Sequence, residues 1–165
     1  MYSKMNADSV LTAAPEDIMS DSNICTNMYI CFKNNYVITC EEFPQAIPIA
    51  NVKKDPYWQK LCNHWRIQYY ADGTFTLSYK MKTQEMFLQI AGSTNILWTN
   101  PRPSDYVFKW CRFREVPRFS NVYTFNGTMN ALHLNSEGVL CNENIELENG
   151  TIPLENCEII FTENI

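Results

Sequence analysis

Three segments of this chain share one pattern: an apolar run, a polar turn and a second apolar run. They cover residues 28–40, 86–99 and 130–141. Each is followed by a cysteine beside large apolar residues, and these cysteines, Cys62, Cys111 and Cys157, lie 49 and 46 residues apart. A strand-built unit of about 40 to 50 residues is typical of propellers, arrays and three-fold closed folds. Only three copies fit within 165 residues, which favours a three-fold closed fold.

The rest of the chain indicates short strands separated by turns. Alternating or continuous apolar residues predict strands at 65–70, 75–79 and 159–161, among roughly ten to twelve in all. Asp55 followed by Pro56 predicts one short helix, because aspartate can cap a helix and proline fits its first position. We therefore predict an all-β fold, specifically a β-trefoil of three repeats of about 45 to 50 residues with at most one or two short helical turns.

The domain organisation predicted from composition is simple. Residues 1–22 are small and polar and are expected to form a flexible N-terminal arm, while residues 23–165 form a single β-trefoil domain. The longest apolar runs are far shorter than the roughly 20 residues of a membrane span, so no span is expected. The first ten residues lack the pattern of a signal peptide. The expected location is extracellular after leaderless release, or cytoplasmic.

Charge is distributed unevenly along the chain. The formal net charge is −5, yet residues 1–118 hold all 13 lysines and arginines against 11 acidic residues. The segment after Arg118 contains seven glutamates and no basic residue. Nucleic-acid binding needs a strongly basic face that displaces counterions from phosphates. We therefore expect no nucleic-acid partner.

The cysteines and histidines do not form a recognisable metal-binding pattern. The chain has seven cysteines, no CxxC spacing and only two histidines, His64 and His133. We expect no metal site and no cofactor. Reduced, largely buried thiols are expected in a leaderless chain, and the alternative is one or two disulfides that involve Cys25, Cys31 or Cys40.

Several segments resemble β-trefoil cytokines. Residues 125–140 and 154–163 are similar to the closing segments of fibroblast growth factors, and residues 28–39 and 113–125 are similar to interleukin-1 proteins. The likeness covers about two thirds of the chain. It implies a signalling protein, without enzymatic activity, that binds a protein receptor through its loops and strand faces. Growth factors of this family carry a basic heparin patch near the C-terminus, where this chain is acidic, so heparin binding is not implied.

Two groups of side chains are candidates for that receptor or for an acidic ligand. The candidate binding residues are the only basic cluster and two nearby tryptophans: Lys109, Arg112, Arg114, Arg102, Arg118, Trp98 and Trp110. Clustered charge attracts an oppositely charged partner, and aromatic groups dominate binding hot spots. The alternative is that the basic residues form the solvated face of one strand and that the aromatic residues pack internally. Trp65 is predicted to belong to the core.

Other functions remain open. A carbohydrate-binding trefoil would need exposed aromatic groups beside Asn or Asp, and the nearest candidates are residues 98–100 and 141–144. The repeated Q-x-W of ricin-type lectins is missing. A lipocalin-like carrier and an actin-binding trefoil are less favoured alternatives. No phosphate loop, nucleophile elbow or metal cluster occurs, so no catalytic residue is expected, although a Cys–His pair could still meet in space.

Overall fold

Twelve strands dominate the computed structural model, which describes residues 23–90, 97–101, 111–117, 119–125, 130–135, 137–144 and 154–165. In chain order the strands are β1 (Ile24–Phe32), β2 (Tyr36–Ile38), β3 (Ala46–Pro48), β4 (Trp65–Tyr69), β5 (Phe75–Met81), β6 (Gln84–Ile90), β7 (Leu97–Pro101), β8 (Phe113–Glu115), β9 (Tyr123–Phe125), β10 (Asn130–Leu134), β11 (Leu140–Asn144) and β12 (Ile159–Thr162). The prediction of an all-β fold is confirmed.

Two short helices interrupt the strands, α1 (Ile49–Lys54) and α2 (Pro56–Cys62), and a 3-10 turn spans Leu154–Asn156. The carboxylate of Asp55 accepts a hydrogen bond from the backbone N–H of Tyr57, and Pro56 occupies the first turn of α2. This is the helix start that the sequence predicts, and α1 is the additional one. No helix in the described part of the chain is long and apolar enough to cross a membrane. The predicted arm, 1–22, lies outside the described residues.

Every strand pairing is antiparallel. The hydrogen-bonded path runs β11-β10-β9-β8-β5-β4-β1-β2-β3, with β12 added to β1 and the β6–β7 hairpin added to β5. Within the described residues this path is an open sheet with no ladder between β9 and β12. The two strands are nevertheless neighbours. Ile159 donates a backbone hydrogen bond of 2.8 Å to the Asn121 carbonyl, and the rings of Tyr123 and Phe161 stack at 5.4 Å.

The pairings recur with a period of four strands. Each of β1, β5 and β9 pairs with the strand that follows it, and β2–β3, β6–β7 and β10–β11 each form a hairpin. Cross-strand pairs between the first and second strands of the three units include Cys31↔Val37, Ser78↔Phe87 and Thr124↔Ala131.

The three repeats recognised in the sequence do not occupy equivalent places in this order. Residues 86–99 and 130–141 span β6–β7 and β10–β11, whereas residues 28–40 span β1–β2. The first assignment is therefore wrong by one hairpin. The physical reason is that Asn35, at φ +74°, makes a tight turn between β1 and β2, so two different hairpins have the same apolar–turn–apolar pattern.

The main core is aliphatic and aromatic and has Trp65 at its centre. Trp65 is fully buried, as predicted, and its indole N–H donates to the Ile38 carbonyl at 3.1 Å. Its ring meets Tyr79 edge-on at 5.4 Å, and Phe113 packs on Phe125 at 4.5 Å. These contacts join β4 to β5 and β8 to β9, so the aromatic rings pack across neighbouring strands of the sheet.

The cysteines that end each repeat are core residues. Cys62, Cys111 and Cys157 stand two or three residues before β4, β8 and β12, and all three are fully buried. Each lies in its own small apolar cluster beside the main core, together with a residue from the second strand of a unit: Val37, Phe87 and Ala131 respectively. All seven cysteines are free thiols, as expected, and Cys25 is the exposed one.

Candidate functional site

A cavity of about 360 Å³ opens between β1, β4 and the β5–β6 hairpin. We call it the polar pocket, and its lining is Ile24, Thr26, Asn27, His64, Arg66, Lys80 and Glu85. Its volume is within the range of roughly 300 to 1,000 Å³ that small-molecule sites occupy. Six of the seven described lining residues carry a polar group, while most of the surface that faces the cavity is apolar, so a ligand with both hydroxyl groups and apolar faces suits this pocket.

One wall of the polar pocket is an irregular stretch of β1. The β1–β4 register shifts between Cys25 and Met28, and Asn27 adopts a left-handed φ of +57°. Asparagine tolerates this conformation better than most residues. A β-bulge bends its strand and re-aims side chains, and bulges are frequent beside binding sites. Here it places Thr26 and Asn27 at the pocket rather than in a regular ladder.

An ion pair forms another part of the lining. Arg66 Nη1 lies 3.3 Å from Glu85 Oε1, and Ser78 Oγ donates to Glu85 Oε2 at 2.5 Å. The Arg66 and Glu85 side chains are 32% and 16% exposed. These contacts hold the carboxylate between two donors, so Glu85 presents a preorganised acceptor. Arg66 Nε is buried and has no hydrogen-bond partner within the described part of the chain.

The pocket carries a local positive charge in a protein whose net charge is −5. Arg66 and Glu85 neutralise each other, whereas Lys80 is exposed and faces Glu85 only as its cross-strand neighbour. His64 is also exposed at the rim. Among the described residues, the lining thus combines one fixed acceptor, the carboxylate of Glu85, with several donors.

The sequence alone does not indicate this pocket. Its residues span positions 24 to 85 and follow no motif, and Arg66 was assigned only to a strand. The one usable signal was indirect. Asn27, Arg66, Lys80 and Glu85 are polar residues in or next to predicted strands, but nothing in their spacing shows that three strands converge.

An exposed aromatic pair forms a second surface. Phe43 is 54% exposed and stacks on Trp98 with ring centroids 6.3 Å apart and an interplanar angle of 27°. Backbone hydrogen bonding from Thr99 to Glu42, at 2.7 Å, docks the Phe43 segment on β7. The half-buried Trp98 has a buried Nε1 with no partner among the residues described. Of the two carbohydrate candidates in the sequence, residues 98–100 contribute the half-buried Trp98, which lies beside the exposed Phe43. In the other, Asn142 is buried and accepts from Asn130 at 3.2 Å.

The predicted basic cluster is only partly described. Lys109, Arg102, Arg118 and Trp110 lie outside the described residues, so their part in binding stays a prediction. Arg114 is exposed and donates to the Asp72 carbonyl at 3.2 Å.

Arg112 does not lie on the predicted basic face, and this is a correction. It is 6% exposed, its guanidinium lies 3.9 Å from the centre of the Tyr70 ring, and it donates to Thr74 Oγ1 at 3.0 Å. The strand β8 begins only at Phe113, so Arg112 precedes the alternation that predicted its exposure.

His133 and Cys141 meet in the hairpin β10–β11. His133 Nδ1 lies 2.9 Å from the Ala131 carbonyl oxygen, which can only accept, so Nδ1 carries the proton. Nε2 is then the acceptor for the thiol of Cys141, whose Sγ is 3.3 Å away. The pair is buried and does not line the polar pocket. It is the spatial Cys–His meeting that the sequence left open, placed inside the fold. His64, the other histidine, is at the pocket rim.

No group of three or more His, Cys, Asp or Glu side chains is placed to hold a metal ion within the described ranges.

Comparison with known proteins identifies a structural neighbour without identifying a family. No protein-family model matches the chain, and no curated protein sequence matches it. Among solved structures, the chain is similar to a GlcNAcα1-4Gal-releasing endo-β-galactosidase from Clostridium perfringens, with a TM-score of 0.61 and 17% sequence identity. The match covers 86% of this chain and 34% of that enzyme, so this chain spans about a third of the enzyme's length. At this identity the likeness establishes a shared fold.

The prediction that this protein is not an enzyme is contradicted by this match, because the similar structure is a glycosidase. The prediction was based on missing linear motifs. Catalytic groups come together in space, so missing linear motifs do not exclude an enzyme. The neighbour is also a carbohydrate-related protein rather than a cytokine.

Proposed function

We propose that this chain is a β-trefoil that binds carbohydrate in the polar pocket. The observation that carries the proposal is the lining itself, in which six of seven side chains offer hydrogen-bonding groups around about 360 Å³. A sugar presents several hydroxyl groups that each donate and accept. Such a ligand needs a preorganised acceptor beside several donors, which Glu85 and its neighbours Arg66 and Lys80 provide.

The trefoil assignment is supported by the pairing order. A trefoil needs three four-strand units whose first and fourth strands form a closed barrel. Five of the six barrel pairings are present as ladders, β1–β4, β4–β5, β5–β8, β8–β9 and β12–β1. At the sixth position, Ile159 bonds to Asn121 and Phe161 stacks on Tyr123. The three buried cysteines before β4, β8 and β12 are a further equivalence.

The structural neighbour gives separate support for carbohydrate as the ligand class. Its name describes an enzyme that releases GlcNAcα1-4Gal, and this chain spans about a third of its length. A fold unit that occurs within a carbohydrate-active protein is a reasonable carrier of a sugar site, although fold alone never assigns a function.

A glycan array tests the proposal. The purified protein is screened against neutral and acidic saccharides, including GlcNAcα1-4Gal, and hits are quantified by calorimetry. The diagnostic variant is Asn27→Gly, because glycine accepts the φ of +57° without strain and only the side chain is lost. Loss of one hydrogen bond of about 0.5 to 1.5 kcal/mol weakens affinity about two- to twelvefold.

Asn35→Gly is the matched control. Asn35 also has a left-handed φ, of +74°, is exposed and does not line the pocket. We expect this variant to bind as the parent does. An array without hits would overturn the proposal of carbohydrate binding. If both variants bound the hits equally well, the binding site would lie outside the polar pocket.

Receptor binding by a cytokine-like protein is the second candidate, and the exposed Phe43 on Trp98 is the observation that favours it. Aromatic anchors of this kind dominate protein interfaces. In a panel of extracellular receptor domains, binding that Phe43→Ser reduces at least tenfold, while Asn27→Gly leaves it unchanged, would support this candidate. Absence of any receptor binding would contradict it.

A further inference from the structure

We infer that the polar pocket prefers a sugar that carries a negative charge over its neutral counterpart. This inference rests on the proposed carbohydrate site and specifies its ligand class. Three basic side chains, His64, Arg66 and Lys80, line the cavity against one carboxylate, that of Glu85.

The first step is the charge balance within the pocket. Glu85 is held by Arg66 at 3.3 Å and by Ser78 at 2.5 Å, so its negative charge is already compensated. Lys80 has no ion pair with a described residue, and its exposed ammonium lies beside the same cavity. A ligand anion would therefore meet a cation without displacing an existing ion pair.

The second step is the contrast with the rest of the molecule. The chain has a net charge of −5, and the segment after Arg118 holds no basic residue. A local positive site on an acidic protein is not explained by general solubility. In a concave site, local charge of one sign attracts a ligand of the opposite sign and repels competing cations.

The third step concerns the geometry of the donors. Arg66 comes from β4, Lys80 from β5 and His64 from the residue before β4, so their donors approach one volume from different strands. Arg66 contacts Glu85 through Nη1, and because a guanidinium has five N–H donors, it keeps hydrogen-bonding capacity beyond that contact. A carboxylate or sulfate group on the sugar would accept from these donors, while the ring hydroxyls would donate to Glu85.

Matched sugar pairs test the inference. Galactose is compared with galacturonate and with galactose 6-sulfate, and glucose with glucuronate, by NMR titration at low salt. We expect at least one anionic sugar to bind about three- to tenfold more tightly than its neutral partner, the ratio that one charge-assisted hydrogen bond at a partly exposed site gives. The affinities of galacturonate and galactose 6-sulfate show whether a carboxylate or a sulfate is preferred. The ratio should shrink when salt is raised, because exposed charges are screened.

Lys80→Gln is the diagnostic variant and Lys82→Gln its control. Lys82 is exposed and two residues away, and its substitution changes the net charge equally without altering the pocket lining. Lys80→Gln should remove the difference in affinity between an anionic sugar and its neutral partner, and Lys82→Gln should retain it.

The outcomes separate the two proposals. Equal binding of neutral and anionic partners, or a preference that survives Lys80→Gln, overturns the inference and leaves carbohydrate binding intact. Failure of every sugar to bind overturns both. Glycan-array hits restricted to neutral sugars overturn the inference alone.

Discussion

The guanidinium of Arg112 lies 3.2 Å from the carboxylate of Asp72, and the arginine is buried whereas the aspartate is half exposed. Thr74 donates to the same carboxylate at 2.6 Å. Partial burial raises the pKa of Asp72, but the hydrogen bonds from Thr74 and the charges of Arg112 and Arg114 outweigh it, so the pKa is lowered. The contact ties the β4–β5 turn to the segment that enters β8.

Asp72→Asn should destabilise the protein at neutral pH by about 1 to 2 kcal/mol, a value reduced from that of a fully buried pair because Asp72 is half exposed. A carboxylate with a lowered folded pKa stabilises the fold above its unfolded pKa, and this contribution is lost as pH falls through the folded pKa. The difference in unfolding free energy between parent and variant, measured by urea unfolding, should therefore shrink between pH 5 and pH 2. This is the range in which aspartate usually titrates. Glu163→Gln, at an exposed carboxylate, is the control. A difference that is constant with pH would contradict the assignment.

One cysteine should react quickly with a thiol reagent in the native protein. Cys25 is exposed, whereas burial raises the pKa of Cys31 to about 11 and those of Cys62, Cys111 and Cys157 to about 12. At pH 8 with DTNB we expect one fast equivalent in the parent and none in Cys25→Ser. All seven should react after unfolding in denaturant. Two or more fast equivalents in the native parent would show that the buried clusters are open.

The buried cysteines before β4 and β8 should respond differently to serine. Cys62→Ser places a hydroxyl in an apolar cluster and should cost about 1 to 3 kcal/mol of unfolding free energy. Cys111→Ser should cost less, because Gln89 Oε1, 3.5 Å from the sulfur, can accept from the new hydroxyl. Denaturant titration measures both, and Cys25→Ser should stay within about 0.5 kcal/mol of the parent because its site is exposed. A larger cost at Cys111 than at Cys62 would contradict this interpretation.

Trp65→Phe should be one of the most destabilising conservative changes. It removes the indole N–H that Ile38 accepts at 3.1 Å and leaves space at a fully buried position, for a cost of about 2 to 4 kcal/mol. Trp58→Phe, at a half-buried residue packed against a smaller cluster, should cost less than about 1 kcal/mol. Urea unfolding followed by circular dichroism compares the two, and equal costs would argue against Trp65 as the centre of the core.

Local patterns were sufficient for many elements of this fold. Alternation of apolar and polar residues located β4 and β5, and Asp55 with Pro56 located α2. These signals work because strand periodicity and helix capping depend on a few neighbouring residues. The burial of Cys62, Cys111 and Cys157 was also predictable, since a thiol beside large apolar residues behaves as a small hydrophobe.

Other features depended on which strands meet. The segment 28–40 has the pattern of a capping hairpin, but it forms β1–β2, because any apolar–turn–apolar segment satisfies the same local rule. The burial of Arg112 depends on Tyr70, Asp72 and Thr74, about 40 residues earlier in the chain. No pattern of neighbouring residues predicts a partner that is so distant in the sequence.

The sequence by itself determined the strand-rich class, the helix start at Asp55 and the core character of Trp65 and of the cysteines before β4, β8 and β12, because each follows from the chemistry of adjacent residues. Tertiary structure alone decided the polar pocket, where a bulge in β1 brings Asn27 beside Arg66 and Glu85. Such a site exists only after distant strands pair, since its hydrogen-bonding groups come from three segments whose separation along the chain carries no information about their separation in space.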